Sequence, residues 1–271
     1  TADREFPLDD RDSTLAEVLG ARGYLTAGFV ANMAYTTEAS GLSRGFARYE
    51  DQPISTLQFV MSAAVPRKLG WRLLTTPWQV RRKVGARVTD TFLAWVDGAS
   101  PRPFFAFLNY MDAHDPYLSP PEFRERFKAD RSRIMLEKRE GLTQDDLAGS
   151  RAAYDAAIAY LDSELARLFR ALDRRGLTDR TIIIVTSDHG EFLGEHGLML
   201  HGNALYQEVL HVPLVVVFPP RVPEATRLAP LVSLRDIPAT ILELALGEPS
   251  APLPGRSLSR FWQGDAAAPA G

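Results

Sequence analysis

The sequence has no cysteine, no apolar run longer than a strand, and no acidic side chain between Gln52 and Thr89. Each gap excludes something. Without cysteine, these 271 residues hold no disulfide scaffold, thiolate metal site or cysteine nucleophile. The longest apolar stretches, such as Val212 to Phe218, fall well short of the ~20 residues a membrane helix needs, so no transmembrane segment is expected. Thr1 is not an initiator methionine, and the opening TADREFPLDDRD lacks the charged-then-apolar order of a signal peptide. The chain therefore reads as processed or cut from something longer, with compartment and oligomeric state left open. No glycine spacing matches a P-loop or a dinucleotide fingerprint, and no specific nucleic-acid partner is expected.

What is present describes a folded protein. Hydrophobic residues make up 45% and charged residues 24%, with 31 basic against 34 acidic side chains, a net charge of −3. Thr14 before Leu15, Val18 and Leu19 predicts a capped helix ending at Gly23, followed by a strand from Tyr24 to Ala31. Val88 to Val96 has helical spacing. Phe104 to Tyr110 is a continuous apolar run suited to a strand buried on both faces. Thr143, with Asp146 three residues on, opens a helix whose apolar stripe runs to Gly176, and the Ile-rich strand Thr181 to Thr186 follows at once. A strand from Val212 to Phe218 and a helix from about Ser233 to Leu246 complete the series. This alternation predicts an α/β fold, a mainly parallel sheet sandwiched by helices, forming one domain over 1–271. A basic insertion at about 52–89 and an irregular tail at about 248–271 are set apart from it.

The insertion carries Arg67, Lys68, Arg72, Arg81, Arg82, Lys83 and Arg87 beside Trp71 and Trp78. One reading is a surface excursion with solvated charges. The other is a lid or amphipathic surface, over about 66–87, that attracts an anionic substrate or membrane.

Two apolar strands run straight into polar clusters: Asn109 to Tyr117 after the first, and Ser187-Asp-His-Gly190 after the second. In open α/β sheets, ligands bind beyond the carboxyl ends of strands. All five histidines fall in or after these clusters, His114 in the first and His189, His196, His201 and His211 in or beyond the second. Asp188 beside His189 offers a carboxylate and an imidazole that can face one cation, an oxygen and nitrogen set suited to zinc or manganese, with calcium and magnesium also possible. The same residues also suit a turn in which Asp188 caps and His189 is an ordinary loop residue.

The stretch Thr186-Ser-Asp-His-Gly-Glu-Phe-Leu-Gly-Glu-His-Gly197, then His201-Gly and Tyr206-Gln-Glu-Val-Leu-His-Val-Pro-Leu214, resembles the carboxyl-terminal signature of sulfatases in the alkaline phosphatase superfamily. His114-Asp-Pro-Tyr117, Thr14-Leu-Ala-Glu-Val-Leu19 and Val232-Ser-Leu234 with Asp236 extend the resemblance in collinear order. It implies an alkaline phosphatase-like fold and one divalent metal ion, held by Asp188 and His189. It gives His114 contact with sulfate or phosphate oxygens and help for the leaving oxygen, a role open to imidazole because it exchanges protons near neutrality. His201, where many sulfatases carry a lysine, would donate to a non-bridging oxygen of a small anionic ester. His196 is read as structural and His211 as uninvolved.

The sequence departs from that family in two places. The acidic strand and the nucleophile with which family members open are not found, so the fold is expected to lack its amino-terminal nucleophile region. Phe29-Val-Ala-Asn32 also stands where many sulfatases have Gly-Lys-x-His. The expected chemistry is in-line attack by a metal-bound nucleophile, missing from this chain, on a sulfate ester, phosphate ester or phosphonate. A phosphoethanolamine-type transferase, a phosphodiesterase and a non-catalytic binding scaffold are the alternatives.

Overall fold

The computed structural model describes residues 8, 11, 13–33, 35–51, 82–99, 101–129, 142–247 and 253–263. Helix α1 (Leu15–Ala21) begins where a reciprocal cap forms: the Thr14 hydroxyl accepts from the Glu17 N–H at 3.1 Å, and the Glu17 carboxylate accepts from the Thr14 N–H at 2.7 Å. Strand β1 (Leu25–Val30) lies between β2 (Arg48–Glu50) and β3 (Phe104–Asn109), parallel to both, with Ala27 level with Arg48 and Ala106.

The two faces of β1 meet different partners, as strand alternation requires. Thr26 faces α1 and donates its hydroxyl to the Gly45 carbonyl at 2.8 Å. Ala27, Phe29 and Ala31 enter the main core with Val88 and Phe92 of α2 (Gly85–Gly98). Phe29 meets Phe92 edge-on at 5.8 Å, and Trp95 meets Phe104 at 5.6 Å. Helices therefore cover both sides of the parallel sheet, as the alternation predicts.

After the short α3 (Pro121–Phe127) comes α4 (Gln144–Asp173), a 30-residue helix opened by a second reciprocal cap between Thr143 and Asp146. Leu165, Leu168 and Leu172 of α4 pack into the cluster that holds Phe104, Ala106 and Leu108 of β3, and Ile183 of β4 (Ile183–Thr186) joins the same cluster. Strand β4 is not hydrogen-bonded to β3. It pairs antiparallel with β7 (Leu214–Val217), Ile183 opposite Val217, and between them in sequence lie the two-residue strands β5 (Phe192–Leu193) and β6 (Met199–Leu200) and the single-turn α5 (Gln207–Leu210).

This arrangement corrects one expectation. Phe104 to Tyr110 reads as a strand buried on both faces, yet β3 is only half-buried and Phe107 is 40% exposed. The reason is topological: among the described residues, β3 and β4 each have one edge without a strand partner.

The basic insertion yields a second correction. Residues 52–81, including Trp71, Trp78 and Arg81, lie outside the described residues. Arg82 and Lys83, however, are buried rather than solvated. The Arg82 guanidinium donates to the carbonyls of Met111, His114 and Pro116 at 3.4, 3.1 and 3.0 Å, and the Lys83 ammonium donates to the Glu50 carbonyl at 2.7 Å. Burial pulls both cations' pKa values down, opposed by Asp112 and Asp115 for Arg82 and by Glu50 and Asp51 for Lys83. Their charges are spent inside the protein and are not presented to an anionic surface.

Near the carboxyl end, α6 (Ile237–Leu246) closes the fold. Its last carbonyls accept from remote side chains: Arg221 donates to Leu244 and to Glu243, which also accepts from the Gly247 N–H, and Tyr24 donates to Ala245. Within the stretch read as an irregular tail, residues 253–263 contain a 3-10 turn, Leu258–Phe261, clipped onto α6. The Leu258 N–H donates to the Thr240 hydroxyl at 2.9 Å and Arg260 pairs with Asp236 at 3.1 Å.

Gly45 has φ +86°, and a Cβ there would run into the backbone of Glu17 in the first turn of α1. Gly45→Ala is expected to lower unfolding free energy by more than about 2 kcal/mol, through backbone strain and loss of the α1 contact. Urea denaturation checks this, and an unchanged midpoint would contradict it.

Candidate active site

The loops after β3 and β4 converge because each is anchored by groups distant in sequence. After β3, Arg82 gathers the three carbonyls named above, and Asp112 accepts from the N–H of Gly85, the first residue of α2, at 3.1 Å. After β4, the Ser187 hydroxyl donates to the His189 carbonyl at 2.6 Å and the His189 N–H donates to Asp188 Oδ1 at 3.1 Å. Gly190 then passes directly beneath α5. Its N–H donates to the Val209 carbonyl at 2.8 Å, and a Cβ would fall on the Glu208 carbonyl oxygen. Only glycine allows that approach.

The result is a row of three imidazoles. His201 stands in the middle, its ring centroid 4.0 Å from that of His189 and 5.1 Å from that of His114. In all three the Nδ1 is engaged by an oxygen: the Asp115 carbonyl for His114 at 2.7 Å, the Gly190 carbonyl for His189 at 2.9 Å, and the Glu191 carboxylate for His201 at 2.7 Å. These oxygens only accept, so Nδ1 donates in each ring. A cavity of about 440 Å³ opens against His189 and His201, walled by Asn203, Leu205 and Val209.

Three of the four site residues expected from sequence thus lie together, and the fourth, Asp188, is adjacent, with Oδ2 3.8 Å from His189 Nε2 and its side chain 86% exposed. A carboxylate oxygen and an imidazole nitrogen fit a divalent cation in kind. Among the described residues, no group of three or more His, Asp or Glu side chains is placed to enclose one. His196 stands apart, stacked on Tyr206 at 4.0 Å and 3.3 Å from Glu208, and His211 is exposed beyond α5.

Three further residues matter that sequence reasoning did not single out. The Glu191 side chain is buried and receives both His201 and the Tyr117 hydroxyl, the latter at 3.1 Å. Its bond, opposed by burial and reinforced by the Glu191 charge, raises the His201 pKa; burial and then the Glu191 charge raise that of Tyr117. Asp112 keeps one buried carboxylate oxygen without a partner. Burial, opposed by the Gly85 N–H and Arg82, lifts its pKa to about 6. The one available signal was adjacency to the histidine motifs.

Comparison with known proteins gives the family and the fold. The sulfatase family model matches residues 3–248. The chain belongs to the sulfatase family. This sulfatase-family chain is 30% identical over 170 residues to a choline-sulfatase of Rhizobium meliloti (strain 1021), a match covering 55% of this chain and 33% of that protein. It is 30% identical over 207 residues to the multifunctional alkaline phosphatase superfamily protein PehA of Trinickia caryophylli, covering 64% of this chain and 40% of the relative. The matches therefore span a third to two fifths of these relatives' lengths. The phosphonate monoester hydrolase of Agrobacterium radiobacter superimposes with a TM-score of 0.70 at 22% identity, over 98% of this chain and 64% of that one, a likeness of fold. The α/β sulfatase-like architecture is thereby established.

Asp112 gives a pH-dependent prediction. Its folded pKa, about 6, lies above the ~4 of an unfolded aspartate, so the folded state holds the proton more tightly. Its contribution to stability is therefore complete below pH ~4 and is lost as pH rises through 6. Relative to Asp112→Asn, the wild type should lose up to about 3 kcal/mol between pH 4 and pH 7. Parallel stability profiles for the two proteins would show the carboxyl to be unperturbed.

Proposed function

We propose that this chain carries part of the catalytic centre of a metal-dependent hydrolase that cleaves a sulfate ester, a phosphate ester or a phosphonate. The observation that carries the reading is the meeting of His114, His189 and His201 beside Asp188, at the carboxyl ends of two strands. Membership of the sulfatase family and the similarity to a choline-sulfatase support the class of ester.

Asp188 and His189 would hold one divalent cation, whether calcium, manganese, zinc or magnesium, whose charge eases the approach of a nucleophile to an anionic ester. The nucleophile lies outside the described residues. Among the described residues β3 and β4 each keep an edge without a strand partner and share one apolar cluster, which supports a further strand between them. A residue at the end of such a strand would reach the histidines. His114, whose Nδ1–H donates to the Asp115 carbonyl, would act as general acid in its doubly protonated form, giving the Nε2 proton to the leaving oxygen. His201, with Nδ1–H held by Glu191, would as the imidazolium donate its Nε2–H to a non-bridging oxygen and offset the charge that grows there during in-line displacement.

The test is kinetics of the full-length gene product on an aryl sulfate and an aryl phosphonate ester, with binding of Mn²⁺ measured in parallel. His114→Ala and His201→Ala should each lower kcat/KM by about 10²-fold or more, with His211→Ala within about twofold of wild type. Asp188→Ala and His189→Ala should weaken Mn²⁺ binding, and His211→Ala should not. Equal rates and equal metal binding in all variants would remove the assignment.

A further inference from the structure

Glu191 is placed where it can decide how His201 meets a substrate. Its side chain is 5% exposed and belongs to the loop after β4, yet its two oxygens reach in different directions. Oε1 accepts from His201 Nδ1 at 2.7 Å, and Oε2 accepts from the hydroxyl of Tyr117, itself buried in the loop after β3, at 3.1 Å. His201 follows β6, ten residues further along the chain, and among the described residues its ring nitrogen bonds to a side chain rather than to the backbone. A histidine on such a loop has two ring orientations, and a fixed acceptor at Nδ1 selects the one that turns Nε2 away from Glu191, where a second ring proton can be donated to an anionic oxygen.

We infer that Glu191 is the positioning residue of this site: with Tyr117 holding its carboxylate, it fixes the His201 ring so that Nε2 is the nitrogen presented to the oxyanion of the substrate. The flanking imidazoles achieve the same orientation with the carbonyls of their own neighbouring residues, Asp115 for His114 and Gly190 for His189. His201 alone of the three uses a side chain, one tied by Tyr117 to the opposite loop. The bond therefore also sets the separation between the leaving-oxygen side of the site, at His114, and the side where a non-bridging oxygen would sit. Glu191 touches no substrate in this role, and it acts through His201.

The inference rests on the ester-hydrolase reading for its consequence but not for its geometry, and the experiment separates the two. In the ¹⁵N-labelled chain, long-range proton–nitrogen correlation spectra report which nitrogen of each imidazole carries the proton, with His201→Gln identifying the His201 signals. Wild type should show His201 protonated at Nδ1. Glu191→Leu should lose that signature, and Glu191→Gln, which keeps an acceptor oxygen without the charge, should fall between the two. Inorganic sulfate, titrated into the same samples, should bind about tenfold more weakly to Glu191→Leu and less weakly to Glu191→Gln. Thermal melting checks that each variant is folded, and Glu191→Gln carries the test should the leucine variant fail. A wild-type His201 signature in Glu191→Gln and in any folded Glu191→Leu overturns the positioning role, as does wild-type sulfate affinity in those variants where His201→Gln weakens it. A changed signature with sulfate binding indifferent to His201→Gln upholds the positioning and sinks the ester-hydrolase reading instead.

Discussion

The site depends on one apolar cluster that joins two strands belonging to separate sheets. Strands β3 and β4 share no ladder hydrogen bonds, so nothing in the backbone sets their spacing. Leu165, Leu168 and Leu172 of α4, Phe104, Ala106 and Leu108 of β3, and Ile183 of β4 belong instead to one apolar cluster, and that shared core relates the strands. Burial of apolar surface is non-directional, but a 30-residue helix with both ends tied is a stiff ruler. The reciprocal cap at Thr143 fixes its start, and the paired hydrogen bonds of Arg175 with Asp97 of α2 fix its far end at 2.7 Å. Because that core holds, the loops beyond the two strands can bring three imidazoles into a row, with neighbouring ring centroids 4.0 and 5.1 Å apart.

Much of this was legible in the residues. Thr14 with Glu17 and Thr143 with Asp146 announce helix starts through interactions three residues apart, and both form as the spacing requires. The apolar runs from Phe104 and Thr181 announce strands, and the polar clusters after them announce the site. Burial was less legible, because it depends on neighbours. The sequence of β3 asks for cover on both faces, and whether it receives cover is a matter of topology that no local pattern contains. The short strands β2, β5 and β6 lack a period long enough to read.

The misread residues share a cause. Arg82 and Lys83 sit in a run of positive charge and look like solvated surface, yet each finds carbonyl acceptors far away in the chain, at Met111, His114 and Pro116 for one and Glu50 for the other. A buried cation is costly unless its donors are satisfied, and a guanidinium satisfied by three carbonyls of one loop shapes that loop. Glu191 was hidden for the same reason: its meaning lies in Tyr117, 74 positions earlier. Partners at that range are invisible to spacing rules, which see three or four residues along a helix and two along a strand.

The end of α6 has a consequence for how the molecule opens. Its terminal carbonyls are held by Tyr24 from the entrance to β1 and by Arg221 from beyond β7, while the turn at Leu258–Phe261 grips its first residues. Segments from opposite ends of the described chain thus share one helix as their anchor. Fraying at either end must release groups belonging to the other, so the two ends form a single cooperative unit and should become exposed to solvent exchange in one event.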